Sequence, residues 1–366
     1  MKKKLLLSLF LALALCLALS PAAFAGGSYY EHSWKAADYD GLDDAMDAAE
    51  TYGYTKYQII LEGNIKVERN IKIRGAEVCF SGGSLQLENN AEIEILSGVP
   101  YNNTSAGSLI LDNVTVEKLG TSGFSPLIDV QSGARLEINS SSLIATGCKY
   151  GIENYGGVEM NGGSIEGPGC EYGIFNNRKV EMNGGSIKGC DTGVYNSSDG
   201  RYYMYGGSIE DCGNGVANDG DFTMRGGSIT DCSSTSGAGL LNYGKATING
   251  GLIYGNSATS EGDDIYSSGG TLGLYTIPSD KLSACGHSID GWYYDEAFSR
   301  WSCSGPARLA ETNTFDSTVS LKAAHAAAPV AVSSVPATGD DSNVALWTGL
   351  LLFFSAAAIA TRKKKA

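Results

Sequence analysis

Val158–Asn176 reads VEMNGGSIEGPGCEYGIFN, and Val180–Asn196 reads VEMNGGSIKGCDTGVYN. Both stretches run through an alternating triplet, a Gly-Gly corner, a Ser-Ile strand, a cysteine, a Gly-aliphatic pair and an asparagine. The corner string recurs as NGGSI at Asn161 and Asn183, YGGSI at Tyr205, RGGSI at Arg225 and NGGLI at Asn249, in steps of 22, 22, 20 and 24 residues. A period of this size governs the fold before local propensity does, because each unit is too small to bury its apolar face alone. The triplets VEM at Val158 and Val180, YYM ending at Met204, FTM at Phe222 and ATI at Ala246 place one side chain out and two in, the pattern of a strand with one buried face. LEINSSSL from Leu136 fits the template one period earlier, and VCFSGGSL from Val78 and LILDNVTV from Leu109 are more diverged copies.

The second half of the unit is as regular: CKYGIEN from Cys148, CEYGIFN from Cys170, CDTGVYN from Cys190, CGNGVAN from Cys212 and a longer DCSSTSGAGLLN from Asp231. Three short strands per coil of about 22 residues, separated by glycine corners that supply positive φ, describe a triangular winding. Stacked windings pair each strand in parallel with its copies about 4.8 Å above and below. The expected fold class is all-β, a right-handed parallel β-helix, with an N-terminal capping helix and a small C-terminal β-rich module. Over Tyr57–Tyr275 the chain resembles surface proteins of the pectin-lyase-like β-helix class with GG-I repeats.

Stacking predicts columns of equivalent residues. Asn154, Asn176, Asn196, Asn218 and Asn242 form an amide ladder resembling those of that fold class, each buried amide satisfied by the next. Ile165, Ile187, Ile209, Ile229 and Ile253 form an aliphatic column, and Met160, Met182, Met204 and Met224, closed by Ile248, form another. Cys148, Cys170, Cys190, Cys212 and Cys232 form a third. Parallel side chains point poorly for disulfide torsion and five is an odd number, so these read as buried thiols acting as small hydrophobes, with bridging in an oxidising compartment the alternative. No CxxC pair occurs, so zinc has no spacing to rest on.

Solenoid ends expose strand edges. Over Asp40–Gly53, Leu42, Ala45, Met46 and Ala49 share a helical face, Asp40 can cap and Gly53 can terminate, which predicts a capping helix within segment 26–56 ahead of a β-helix over 57–277. Residues 278–325 form a smaller unit: HSIDGWYYDEAFSRW from His287 and TVSLKAAH ending at His325 resemble a degenerate Listeria-Bacteroides repeat, with His325 where that family has an aromatic residue. Cys285 and Cys303 flank its aromatic centre, as a bridge or as two thiols. An Ala/Pro/Val/Ser linker follows over 326–334.

The termini address the protein. Lys2–Lys4, the apolar stretch Leu5–Leu19 and Ala23-Phe24-Ala25 have the pattern of a secretory signal over 1–25. At the other end come Val335, Pro336, Ala337, Thr338 and Gly339, then an apolar run from Val344 to Ala360, then Arg362 and Lys363–Lys365. This run of seventeen mostly apolar residues makes roughly 25 Å of helix, enough to cross a hydrocarbon core. This order resembles the cell-wall sorting signal of Gram-positive surface proteins, with Val335 in place of the usual Leu. The resemblance implies a transmembrane sorting helix within 335–366, a sortase cysteine attacking the Thr338 carbonyl, and transfer to peptidoglycan. A plain C-terminal membrane anchor is the alternative.

The chain carries 26 basic and 40 acidic residues; removal of both terminal segments leaves 19 and 38, a net charge near −19. Such a surface disfavours nucleic acid and anionic lipid and attracts cations. Glu137, Glu159 and Glu181 stack like on like, which makes them a weak calcium candidate and otherwise a solvated face; no other cofactor is expected. Glu166, Lys188 and Glu210 alternate in sign as a mild salt ladder. Tyr150, Tyr172, Phe175 and Tyr195 form an outward aromatic stripe suited to sugar faces, or simply to one another. The hydrolase strings NTD, DD, GHG and RIK of the β-helix class do not occur as a set, and the only histidines are His32, His287 and His325. The expectation is therefore a wall-anchored adhesin or structural surface component without catalysis, engaging a glycan or host-surface ligand. A carbohydrate-active β-helix enzyme with a diverged site is the alternative.

Overall fold

The computed structural model describes residues 30–274, except 89, 99–105, 121–124 and 269, together with the backbone of short strands between Ser288 and Lys322. The signal segment, the linker, the sorting motif Val335–Gly339 with its apolar run, and Cys285 all lie outside the described residues. No helix among the described residues is long and apolar enough to cross a membrane.

The chain winds into a parallel β-solenoid of the right-handed type with about 10 turns, the hand that parallel crossovers adopt almost without exception. Each coil contributes three strands. The first face stacks Arg135–Ile138, Gly157–Met160, Lys179–Met182, Arg201–Met204, Asp221–Met224 and Lys245–Ile248 in parallel register, with Val158 opposite Val180 and Met160 opposite Met182. The second face carries the Ser-Ile strands, and the third carries the Gly-aliphatic-x-Asn strands. Second and third faces share one sheet because Ser164–Asn176 and Ser186–Asn196 run through the corner as single bent strands. Pro168-Gly169 is accommodated there by a register irregularity between Glu166 and Cys170.

Alternation fills the core as expected. Ile165, Ile187, Ile209, Ile229 and Ile253 are fully buried, each stabilising the coil by roughly 2 kcal/mol relative to exposure. On the first face the inward column passes from Val180 to Tyr202 and Phe222, whose rings stack at 5.1 Å, and then to Ala246, which returns the volume the rings take. The Gly-Gly corners interlock with the methionines. Gly185 has φ 85, and a Cβ there would lie 2.5 Å from Met160 Cε of the preceding coil. Gly207 with Met182 and Gly227 with Met204 repeat the arrangement at 2.6 and 2.7 Å, so motif and column are one packing device.

The amide ladder is continuous. Asn154 Nδ2 donates to Asn176 Oδ1, Asn176 to Asn196, Asn196 to Asn218 and Asn218 to Asn242, each at 2.7 Å, and Asn242 ends on Ser267 Oγ at 2.8 Å. The second proton of each Nδ2 reaches a backbone carbonyl, as from Asn154 to Lys179 at 2.9 Å. All five asparagines are fully buried, a burial that is cheap only because nothing is left unpaired.

The cysteines also align: Cys170 is opposite Cys190 in register, and Cys190 neighbours the thiols of Cys170 and Cys212 along the column. These contacts, with burial, hold the Cys190 thiol up as its neutral form. All five column cysteines and Cys79 are buried, and none of them is in a disulfide. Cys190, Cys212 and Cys232 each donate to the carbonyl two residues earlier, at 3.6, 3.4 and 3.4 Å. Asn256 continues the same bond to Tyr254 at 3.2 Å and also donates to Asp264 Oδ1 at 3.0 Å. The thiols thus clamp corners as well as fill space.

The ends differ in detail from expectation. The helix α1 runs Tyr39–Tyr52 with Asp38, not Asp40, as its cap: the Asp38 carboxylate accepts from Gly41 N at 2.8 Å, and Asp40 lies in the first turn. Asp38 has the extended backbone a cap requires. Leu42, Ala45 and Ala49 are buried, Gly53 closes the helix at φ 70, and Met46 packs partly buried against the core. An unanticipated strand, His32–Ala36, precedes α1 and pairs in parallel with Lys56–Leu61, so the solenoid begins before its helix. At the other end Val319–Lys322 and Asn313–Phe315 pair antiparallel with Ile265–Ser267 and Thr271–Leu274. Strands of the 278–325 unit therefore cover the last winding's edges, and reversal of direction stops the coil.

Candidate functional site

Side chains that point outward from the solenoid stack in the same register as those inside. On the third face the outward position passes through Glu94, Asp129, Glu153, Phe175, Tyr195 and Ala217 on successive coils. This column is acidic for three coils and aromatic for the next two. Alternation dictates it locally: Ile93-Glu94-Ile95, Ile128-Asp129-Val130 and Ile152-Glu153-Asn154 each bury their flanking residues.

The expected aromatic stripe is assembled as a two-file ridge. Tyr150 stacks on Tyr172 at 5.7 Å with a 21° interplanar angle, and Phe175 on Tyr195 at 5.5 Å and 19°. The files touch at 5.2 Å between Tyr150 and Phe175 and at 5.4 Å between Tyr172 and Tyr195. All four rings are half-buried. Tyr195 Oη donates to Asp219 Oδ2 at 2.5 Å, a bond that, with burial, pushes the Tyr195 phenol up to about 12. Burial and the neighbouring Glu171 do the same to Tyr172. The Lys149 ammonium lies 4.9 Å from the centre of the Tyr150 ring, a cation–π contact worth about 0.5–1 kcal/mol at an exposed site.

The acidic continuation was missed in the sequence. Burial, and then repulsion from Glu94, raises the Asp129 carboxyl above its ordinary range; burial and then Asp129 raise Glu153. Glu92 is raised by burial and by the charges of Glu94, Asp129 and Glu153. Tyr155 Oη donates to Glu153 at 3.1 Å, and Gln131 donates to Asp129 at 3.4 Å. Lys72 pairs with Glu94 at 3.5 Å, but among the described residues no basic side chain is within ion-pair distance of Glu92, Asp129 or Glu153. Extending the repeat register upstream of Cys148 would have exposed this column; only the diverged spacing of the early coils hid it. At the start of the same face a groove of about 1030 Å³ opens between α1 and the coils, with Asp43, Asp47, Arg69, Lys72 and Arg74 among its lining residues.

The glutamate column on the first face has a different environment. Glu137, Glu159 and Glu181 are in register as expected. Arg135 reaches Glu137 at 3.3 Å and Glu159 at 2.6 Å, while Lys179 reaches Glu181 at 2.9 Å. These cations come from the same strands, two residues earlier, and offset part of the column's like charge. Among the described residues no group of three or more His, Cys, Asp or Glu is arranged to hold a metal ion. Lys188 pairs with Glu166 at 3.3 Å in the alternating column. No protein-family model matches the chain, and no curated protein or solved structure is significantly similar to it.

Proposed function

We propose that this is an exported protein, fixed by sortase to Gram-positive peptidoglycan through Val335–Gly339, whose solenoid displays a glycan-binding ridge on its third face. The observation that carries the binding reading is the ring array Tyr150, Tyr172, Phe175 and Tyr195, half-exposed and stacked in register along a rigid sheet. Pyranose rings present apolar C–H faces that pack on such surfaces, and pre-set rings cost little ordering entropy on binding. The anchoring reading is supported by the order of motif, apolar run and basic cluster in the tail. A screen of the full chain against a glycan array tests the ridge: Phe175→Ala with Tyr195→Ala abolishes the signal, and an unchanged signal removes the idea. Thr338→Ala tests the anchor, since wall linkage that muramidase still releases from this variant rules out sorting.

A second reading, hydrolysis of a bound glycan, is favoured by the Asp129–Glu153 pair one coil apart beside the rings, both carboxyls raised chiefly by burial, since paired carboxylates serve glycoside cleavage. New reducing ends from a bound oligosaccharide, lost in Glu153→Gln, would establish it. Binding without cleavage leaves the display reading.

A further inference from the structure

We propose that the ligand of the third face is a glycan carrying free ammonium groups, an oligomer of de-N-acetylated amino sugars, with its sugar faces on the rings and its amines on the carboxylates of the next coils. The inference rests on the ridge reading and narrows it to one chemical class.

Three observations lead there. The rings and the carboxylates form one continuous column, with Glu153 directly in register with Phe175 and Asp129 directly in register with Glu153. A linear polymer lying on Phe175 and Tyr195 along the solenoid axis therefore passes over Glu153 and Asp129 next. Among the described residues neither carboxylate has a cation within ion-pair distance, Lys149 acting on Glu153 only from farther off, whereas the first-face glutamates are met directly by Arg135 and Lys179. On the third face Lys72 meets Glu94 at 3.5 Å, and the two coils that follow carry Asp129 and Glu153 with no such pair. Finally, the ridge already holds one ammonium: Lys149 Nζ sits over Tyr150. That contact places a cation on the outermost ring of the ridge and makes Lys149 an internal competitor for it.

Charge excludes the alternatives of similar shape. Uronic-acid and sialic-acid polymers would bring anions onto Asp129, Glu153 and Asp219 in a chain of net charge −14, and like charges at this range are repelled. Neutral sugars could use the rings but would cover the half-buried carboxylates without bringing a cation, leaving them only the neutral donors Gln131 and Tyr155.

Calorimetry on the full chain with four hexamers decides the matter: glucosamine, N-acetylglucosamine, galacturonate and lysine. The expected result is glucosamine binding at least about tenfold tighter than N-acetylglucosamine, no galacturonate binding, and weakening by added salt. Asp129→Asn with Glu153→Gln should erase the preference without unfolding the coil, because it removes mutual repulsion. Lys149→Ala should tighten glucosamine binding about threefold by freeing Tyr150. Equal binding of the two sugars, lost in Phe175→Ala with Tyr195→Ala, overturns the ammonium proposal and leaves the ridge reading standing. Lysine hexamer binding as tightly as glucosamine overturns the glycan class. No binding of any hexamer sinks both.

Discussion

Two outward columns of acid on one solenoid meet opposite treatment. On the first face Glu137, Glu159 and Glu181 are laced by Arg135 and Lys179 into a network at 2.6–3.3 Å. On the third face Asp129 and Glu153 stack just as closely in register, yet receive only the neutral donors Gln131 and Tyr155. Parallel in-register stacking puts like beside like whether or not like attracts like. A coil can offset this cost within its own strand, and where it does not, the uncompensated charge is available to something else. The buried asparagines mark the favourable limit of the same geometry, because an amide is both donor and acceptor and gains from meeting its copy.

Breaking that favourable limit should have the largest effect. Asn196→Ala strands the Asn176 amide donor and the Asn218 acceptor in the core, and chemical denaturation should report a loss of about 3 kcal/mol; a loss below 1 kcal/mol would mean the ladder does not bear on stability. Next comes Asp264, almost fully buried, with Oδ2 lacking a partner among the described residues and its carboxyl pushed up to about 7, chiefly by burial. Because the folded pKa lies above the ordinary 3.8, stability is fully present below that value and is lost as pH rises towards 7. Asp264→Asn should therefore flatten this decline and add about 2 kcal/mol at neutral pH, as read from melting curves across the range.

The two acidic columns themselves should respond with opposite signs. Arg135→Ala leaves Glu137 and Glu159 in repulsion and should cost about 1 kcal/mol, with added salt restoring part of it. Asp129→Asn should instead raise the melting temperature by a few degrees at neutral pH. Since its folded pKa is also raised, the gain should fade as pH drops through the carboxylate range. If both substitutions destabilise, the contrast between the columns is wrong. Smallest of all is Cys190→Ser, within about 1 kcal/mol of the parent, because the hydroxyl can keep the bond to Lys188 O.

How much of this was legible in the sequence follows from where the repeat is clean. From Leu136 to Tyr254 the spacing stays between 20 and 24 residues per coil, and the Ile, Met, Cys and Asn columns lie where the strings place them. Upstream, insertions in the corners blur the period, so Glu94 and Asp129 read as isolated acids although they continue the position of Phe175. The cap was assigned to Asp40 because helical periodicity locates a face more securely than an end; Asp38 takes the role through backbone geometry that no spacing reports. The strand His32–Ala36 was missed since its partners lie across α1, and a single pairing leaves no repeat. Arg135 and Lys179 were visible in the sequence, but their reach to the neighbouring coil depends on side-chain length and direction.

The amides of the inner ladder all face one way, and the first of them, Asn154, lies over Val130, which can neither give nor receive a proton. Reversing any single amide would set oxygen against oxygen on one side and hydrogen against hydrogen on the other. The windings from Tyr150 to Ser267 are therefore locked into a common orientation, and those before Val130 are not. The spring has a seam at that valine: under heat or tension the upstream windings should part as a separate unit, with amide exchange changing abruptly between Val130 and Asn154.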